Sequence, residues 1–169
     1  MSNPVTEWLN SQQENMVKLL ADLVNIDSNS FDKQGVDKVA ERLRQFFDAH
    51  SVTHETMALK DQGDVLRVIV SGGDGNRPLL LCGHRDTVFP TGEVEKRPFE
   101  IKNGRAFGPG VADMKPGLVM NAFILAAFSK FGGQPNPMVG LFTGDEEIGS
   151  PASQDIIVAE AKKARLAFN

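Results

Sequence analysis

The chain has 169 residues, 41% of them hydrophobic, and 18 basic against 22 acidic side chains give a formal net charge of −4. That length suits one domain with a full core and argues against a second. The mild acidity, without a Lys/Arg stripe, argues against nucleic acid or an anionic membrane as partner, and no apolar run approaches a membrane span.

The single cysteine, Cys82, rules out an internal disulfide. It lies inside an apolar run, which suits packing better than a thiol nucleophile in an exposed electropositive site. The N-terminal stretch to Trp8 lacks the basic start and apolar core of a secretory leader, so a cytoplasmic protein is expected.

Asn3-Pro4, and then Ser11 with Glu14 three residues later, are successive helix-start signals, the second a capping box. Met16, Leu19, Leu20, Leu23 and Val24 repeat at helical spacing, and the polar stretch Asp27 to Ser30 closes that helix. Gly35 opens another, with Val36, Val39, Ala40, Leu43, Phe46 and Phe47 as its core stripe and His50 at its negative end. Val52 to Leu59 and Val65 to Val70 read as strands joined by the polar bend Lys60 to Asp64, and His54 belongs on the strand surface. Ser71 to Asn76 is a Gly-rich turn that lacks the ending a phosphate-binding loop requires.

Leu79 to Cys82 is a buried strand stopping at Gly83. After Pro90 the chain is irregular until Phe99 to Phe107, where Asn103-Gly104 marks a tight hairpin. Gly108 to Gly110 permit a sharp turn before Asp113, and a helix runs from Lys115 to Lys130 with Pro116 in its first turn. Its buried side is Val119, Ala122, Phe123, Ala126 and Ala127, and Gly132-Gly133 stop it. Met138 to Phe142 is apolar throughout, as in a strand covered on both faces. Ser150, Pro151 and Ser153 start the last helix, which reaches Ala164, and Arg165 to Asn169 begins one more strand. The expected fold is α/β: three layers, with helices on both faces of a mainly parallel sheet that has an antiparallel edge.

In such sheets the crevice beyond the carboxyl ends of the strands collects ligands. His84 and Asp86 follow one strand, Asp113 ends a Gly-rich loop, and Asp145, Glu146 and Glu147 follow another strand. A His-x-Asp pair is often only a structural hydrogen bond, and adjacent acids usually mark a solvated turn. Convergence of three loops changes that reading. Imidazole and carboxylates are the ligands of hydrolytic zinc sites, and a carboxylate such as Asp113 has two oxygens with which to bridge two ions. Asp86 is spaced to orient the His84 ring. One acid after the second strand would bind metal and its neighbour would accept a proton, but spacing leaves open which two of the three point inward.

Gly83-His-Arg-Asp-Thr-Val88, Gly108-Pro-Gly-Val-Ala-Asp-Met-Lys-Pro-Gly117 and Gly144-Asp-Glu-Glu-Ile-Gly-Ser150 resemble, in order and spacing, signatures of the glutamate carboxypeptidase, acetylornithine deacetylase and succinyl-diaminopimelate desuccinylase family. The resemblance extends from the first helix to the last residue. It implies two zinc ions, or cobalt or manganese in their place. By position, His84 would bind one ion, Asp113 would bridge both and precede a cis peptide, and Glu147 would bind the other. Glu146 would be the general base and Asp86 the orienting partner of His84. The implied reaction is metal-assisted attack of hydroxide on an amide carbonyl of a small peptide or N-acyl amino acid, with Glu146 passing the proton to the leaving amine.

Family members are about twice this length or more. The resemblance therefore makes residues 1–169 the N-terminal portion of a catalytic domain. A lid domain, through which the parent would homodimerise, and a further catalytic segment carrying more ligands would lie elsewhere, and the chain alone is expected to be inactive. The Gly-Pro-Gly-Val-Ala-Asp stretch leans toward the carboxypeptidases. The alternatives are an N-acyl amino acid deacylase of the same family or a noncatalytic α/β binding module. A serine or cysteine hydrolase lacks its Gly-x-Ser-x-Gly elbow.

Overall fold

Asn3 starts the first helix: its side-chain oxygen accepts the Val5 N–H at 2.9 Å, and Pro4 fills a position where no N–H is required. The computed structural model describes residues 3–169. Helix α1 spans Pro4–Ser11 and α2 spans Gln13–Val24. The capping box expected at Ser11 and Glu14 does not form, because the Ser11 hydroxyl donates to Trp8 O at 2.7 Å and Gln12 joins the two helices without a side-chain cap. Helix α3, Lys33–Ala49, begins two residues before Gly35, since Asp32 is the cap and its carboxylate accepts the Gly35 N–H at 3.0 Å. His50 ends α3 as expected, its Nδ1 donating to Phe46 O at 2.8 Å. His54, half-buried in the following strand, meets Asp48 at 2.9 Å.

Strands β1 (Thr53–Met57) and β2 (Val65–Val70) pair antiparallel. Strand β3 spans Leu79–His84, two residues beyond Cys82. It does not stop at Gly83, because Gly83 and His84 continue the parallel ladder against Phe142 and Thr143. A one-turn helix α4 (Glu93–Lys96) interrupts the stretch expected to be irregular, anchored where Asp27 accepts the Gly92 and Val94 N–H groups. The hairpin of β4 (Glu100–Lys102) and β5 (Arg105–Phe107) turns at Asn103 and Gly104, both at positive φ. Helix α5 covers Lys115–Phe131, β6 Met138–Thr143, α6 Gln154–Lys163 and β7 Leu166–Phe168, with a 3₁₀ turn at Glu146–Ile148.

The sheet order is β1-β2-β6-β3-β7, with β6, β3 and β7 parallel and β2 antiparallel to β6. One face packs under α1, α2, α3 and α5 through Leu43, Phe47, Leu66, Val68, Phe123 and Phe142. Removing a Leu or Phe side chain of this kind from water is worth about 1.5–3 kcal/mol. The other face, with Leu80, Val139 and Leu141, lies under α6. These are the three layers expected. Among the described residues β7 pairs only with β3, and its Leu166 and Phe168 are exposed. Beside it, between β3 and α5, an open apolar cleft of about 690 Å³ is lined by Leu81, Met114, Met120, Ile124, Phe128 and Phe168. No helix among the described residues is long and apolar enough to cross a membrane.

Candidate metal centre

Parallel β3 and β6 end side by side, and the connections leaving them meet the start of α5. His84 closes β3 and is buried. Its Nδ1–H donates to the backbone carbonyl of Asp86 at 3.0 Å and lies 3.3 Å from the Asp86 carboxylate. Its Nε2 therefore faces the crevice, 3.0 Å from Asp113 and 3.6 Å from Glu146. Ligand atoms of His84, Asp113 and Glu147 all lie within 4.8 Å of one another.

Asp86 is fully buried and works as an acceptor hub. Its carboxylate takes the Ser30 hydroxyl at 2.6 Å and the N–H groups of Glu146 and Glu147 at 3.2 and 3.1 Å. One buried carboxylate thus fixes both the imidazole and the turn that carries the two glutamates. Asp145 faces elsewhere: buried, it accepts the N–H groups of Ala152 and Ser153 at 2.8 and 3.0 Å and the Ser153 hydroxyl. Of the three acids that spacing leaves open, Glu146 and Glu147 lie near His84, while Asp145 braces the entry to α6.

Asp113 reaches the crevice from a loop that needs its glycines. Gly110 has φ 73°, and a Cβ there would lie 2.8 Å from the Thr87 methyl and 3.2 Å from the Lys115 stem. Lys115 is buried and donates from Nζ to Ile26 O at 2.8 Å. Burial pushes its pKa down to about 8, against the charge of Asp27. The Asp113–Met114 peptide is cis, as the resemblance implied.

The electrostatics describe a cluster short of positive charge. Burial opposes a charged His84, yet the hydrogen bond and charge of Asp86, with Asp113 and Glu146, raise its pKa to about 9. Burial, together with the charges of Asp113, Asp86 and Glu146, lifts Glu147 above the usual carboxylate range despite His84. Burial also works against ionised Asp86, but the hydrogen bonds from His84, Ser30 and Glu147 hold it low. Acids crowded around one outward-facing imidazole nitrogen form a donor set that a divalent cation fits.

A profile of Peptidase family M20/M25/M40 matches residues 80–168, more than half of the chain and all of this cluster. The chain belongs to that family. It is 31% identical over 166 residues to carboxypeptidase G2 of Pseudomonas sp. (strain RS-16), covering 96% of this chain and 40% of that protein. With the succinyl-diaminopimelate desuccinylase of Methylocella silvestris it shares 35% identity over 117 residues, 66% of this chain and 29% of that one. The fold matches human carnosine dipeptidase 1 with a TM-score of 0.79 at 15% identity, over 97% of this chain and 40% of that one. The chain thus spans about two fifths or less of the length of these relatives.

Two residues that shape the site carry little signal in the sequence. Ser30 lies in a polar stretch that reads only as a helix stop, although two buried serines, Ser28 and Ser30, are more than a solvated turn requires. Arg85 reads only as part of a motif. Alternation continued past the end of β3 turns it opposite to His84 and Asp86, toward the interior.

Proposed function

We propose that this chain is the metal-holding part of a zinc-dependent amide or peptide hydrolase. Within that class, carboxypeptidase chemistry has the best support, because the match to carboxypeptidase G2 runs over nearly the whole chain. A deacylase acting on N-acyl amino acids is the second reading, supported by the desuccinylase and acetylornithine deacetylase relatives. The observation that carries the proposal is the gathering of Asp113, Glu146 and Glu147 around the outward nitrogen of His84.

In this reading His84, Asp113 and Glu147 would hold the metal, with room in the Asp113 carboxylate to serve a second ion. Zinc in such a set supplies a Lewis acid and lowers the pKa of water. Asp86 keeps the His84 tautomer with its proton on Nδ1, leaving Nε2 as the ligand atom. Glu146 takes a proton from water and returns it to the leaving amine, a role worth about 10²–10⁴ in rate. Further ligands, the groups that select the substrate, and a lid domain that makes the parent a homodimer come from other parts of the longer polypeptide.

The test is zinc titration against a chromophoric chelator. Binding by the chain, lost in Asp113→Ala and Glu147→Gln and kept in Glu146→Gln, supports the assignment. In the full-length polypeptide Glu146→Gln then abolishes peptide hydrolysis. A folded Asp113→Ala that retains full zinc binding refutes it.

A further inference from the structure

Between His84 and Asp86 lies a side chain that the proposed chemistry leaves unused. Arg85 is fully buried. It points away from its two neighbours, under the site, where Nη1 donates to Val36 O in the first turn of α3 at 3.0 Å. Nη2 donates to Asp64 O in the segment joining β1 to β2, and the buried Nε has no partner. The backbone N–H of Arg85 also donates to Thr143 O at 2.9 Å, extending the β3–β6 ladder by one step.

An apolar side chain of similar volume would fill this space without giving up the hydration of a guanidinium. What the guanidinium adds is reach to two carbonyls at once. The backbone it grips is itself fixed. Asp64 N–H donates to Asp37 at 2.8 Å, and the Asp64 carboxylate accepts the Leu59 N–H at 2.9 Å and the Lys33 ammonium. Lys33 also pairs with Asp37 at 3.1 Å. The end of β3 is therefore tied from below to α3 and to the β1–β2 segment, while Asp86 ties the same end from above to Ser30 and the Glu146–Glu147 turn.

We propose that Arg85 is a positioning residue for the metal centre: by clamping the end of β3 to Val36 O and Asp64 O it sets where His84 and Asp86 stand, and through Asp86 where Glu146 and Glu147 stand. This rests on the metal-binding reading of the His84 cluster. Arg85 touches neither metal nor substrate, and its effect passes through the two residues beside it.

The test compares the 169-residue chain with Arg85→Met and Arg85→Lys. Amide hydrogen exchange is followed at Glu146 and Glu147, whose N–H groups donate to Asp86, and at Ala126 and Ala127 in the core of α5 as reference. Zinc affinity is measured by chelator competition. Arg85→Met is expected to speed exchange at Glu146 and Glu147 at least about tenfold beyond any change at Ala126 and Ala127, and to weaken zinc binding by about 10–100-fold. Arg85→Lys keeps the charge but loses the two-pronged reach and falls between. Equal acceleration at all four amides, or wild-type local exchange with wild-type zinc affinity, overturns the proposal. If Arg85→Met does not fold, Arg85→Lys carries the same comparison, and the same results support or overturn the clamp. A wild-type chain that binds no zinc, while the variants still loosen Glu146 and Glu147 selectively, refutes the metal reading and leaves the clamp standing.

Discussion

Asp86→Asn changes one atom type and should disturb the whole centre. The carboxylate is fully buried, with Ser30, Glu146 N–H and Glu147 N–H donating to it and His84 Nδ1 at 3.3 Å. An asparagine keeps one acceptor oxygen and turns an NH₂ toward groups that are themselves donors. Breaking a buried, hydrogen-bonded charge pair costs about 3–5 kcal/mol, a large part of the 5–15 kcal/mol that holds a typical domain folded. With a urea slope of about 2 kcal/mol per M, the unfolding midpoint should fall by about 1.5–2.5 M. The ring of His84 reports the same event separately. Without Asp86, burial opposes the charged ring and only Asp113 and Glu146 still favour it, so its pKa should fall clearly below about 9, as read by NMR titration of the ring nitrogens in metal-free protein. A variant with an unchanged midpoint and His84 still titrating near 9 would refute the hub role of Asp86.

Two further outcomes follow from the same geometry. Because the folded-state pKa of His84 is raised, the charged ring contributes stability that is complete below about pH 6.5 and is lost as pH rises through about 9; from the 6.5 and 9 values this amounts to something on the order of 3 kcal/mol in metal-free protein. Urea midpoints between pH 6 and pH 10 measure it, and His84→Gln should flatten the dependence. Asp145→Ala removes the acceptor for two N–H groups and a hydroxyl at the entry to α6 and should cost about 2–4 kcal/mol by urea unfolding. Its zinc affinity should stay within about twofold of wild type, and loss of zinc at unchanged stability would return Asp145 to the ligand set.

The layers are legible in the sequence because apolar spacing is the strongest signal a chain carries, and the stripe from Val36 to Phe47 is the buried face of α3. Boundaries are less so. The end of β3 lies beyond the point where local signals stop it, because Gly83 is held in strand by pairing with Phe142, a partner far away in sequence. Helix α4 has four residues, too few for any period, and depends on Asp27 from a distant loop. Of the candidate site residues, His84, Asp113, Glu146 and Glu147 stand out because chemistry-bearing types sit at strand ends among glycines. Spacing does not separate Asp145 from its neighbours, because its role depends on where the Ala152 and Ser153 N–H groups point. Arg85 is invisible as a clamp for the same reason: its partners are backbone carbonyls, which every residue possesses.

Strand β7 pairs with β3 on one side. Among the described residues the side of β7 away from β3 has no partner, and Leu166 and Phe168 beside it are exposed, which suits the addition of another extended strand. A further strand, from elsewhere in a longer polypeptide or from a second copy, would extend the sheet at this edge.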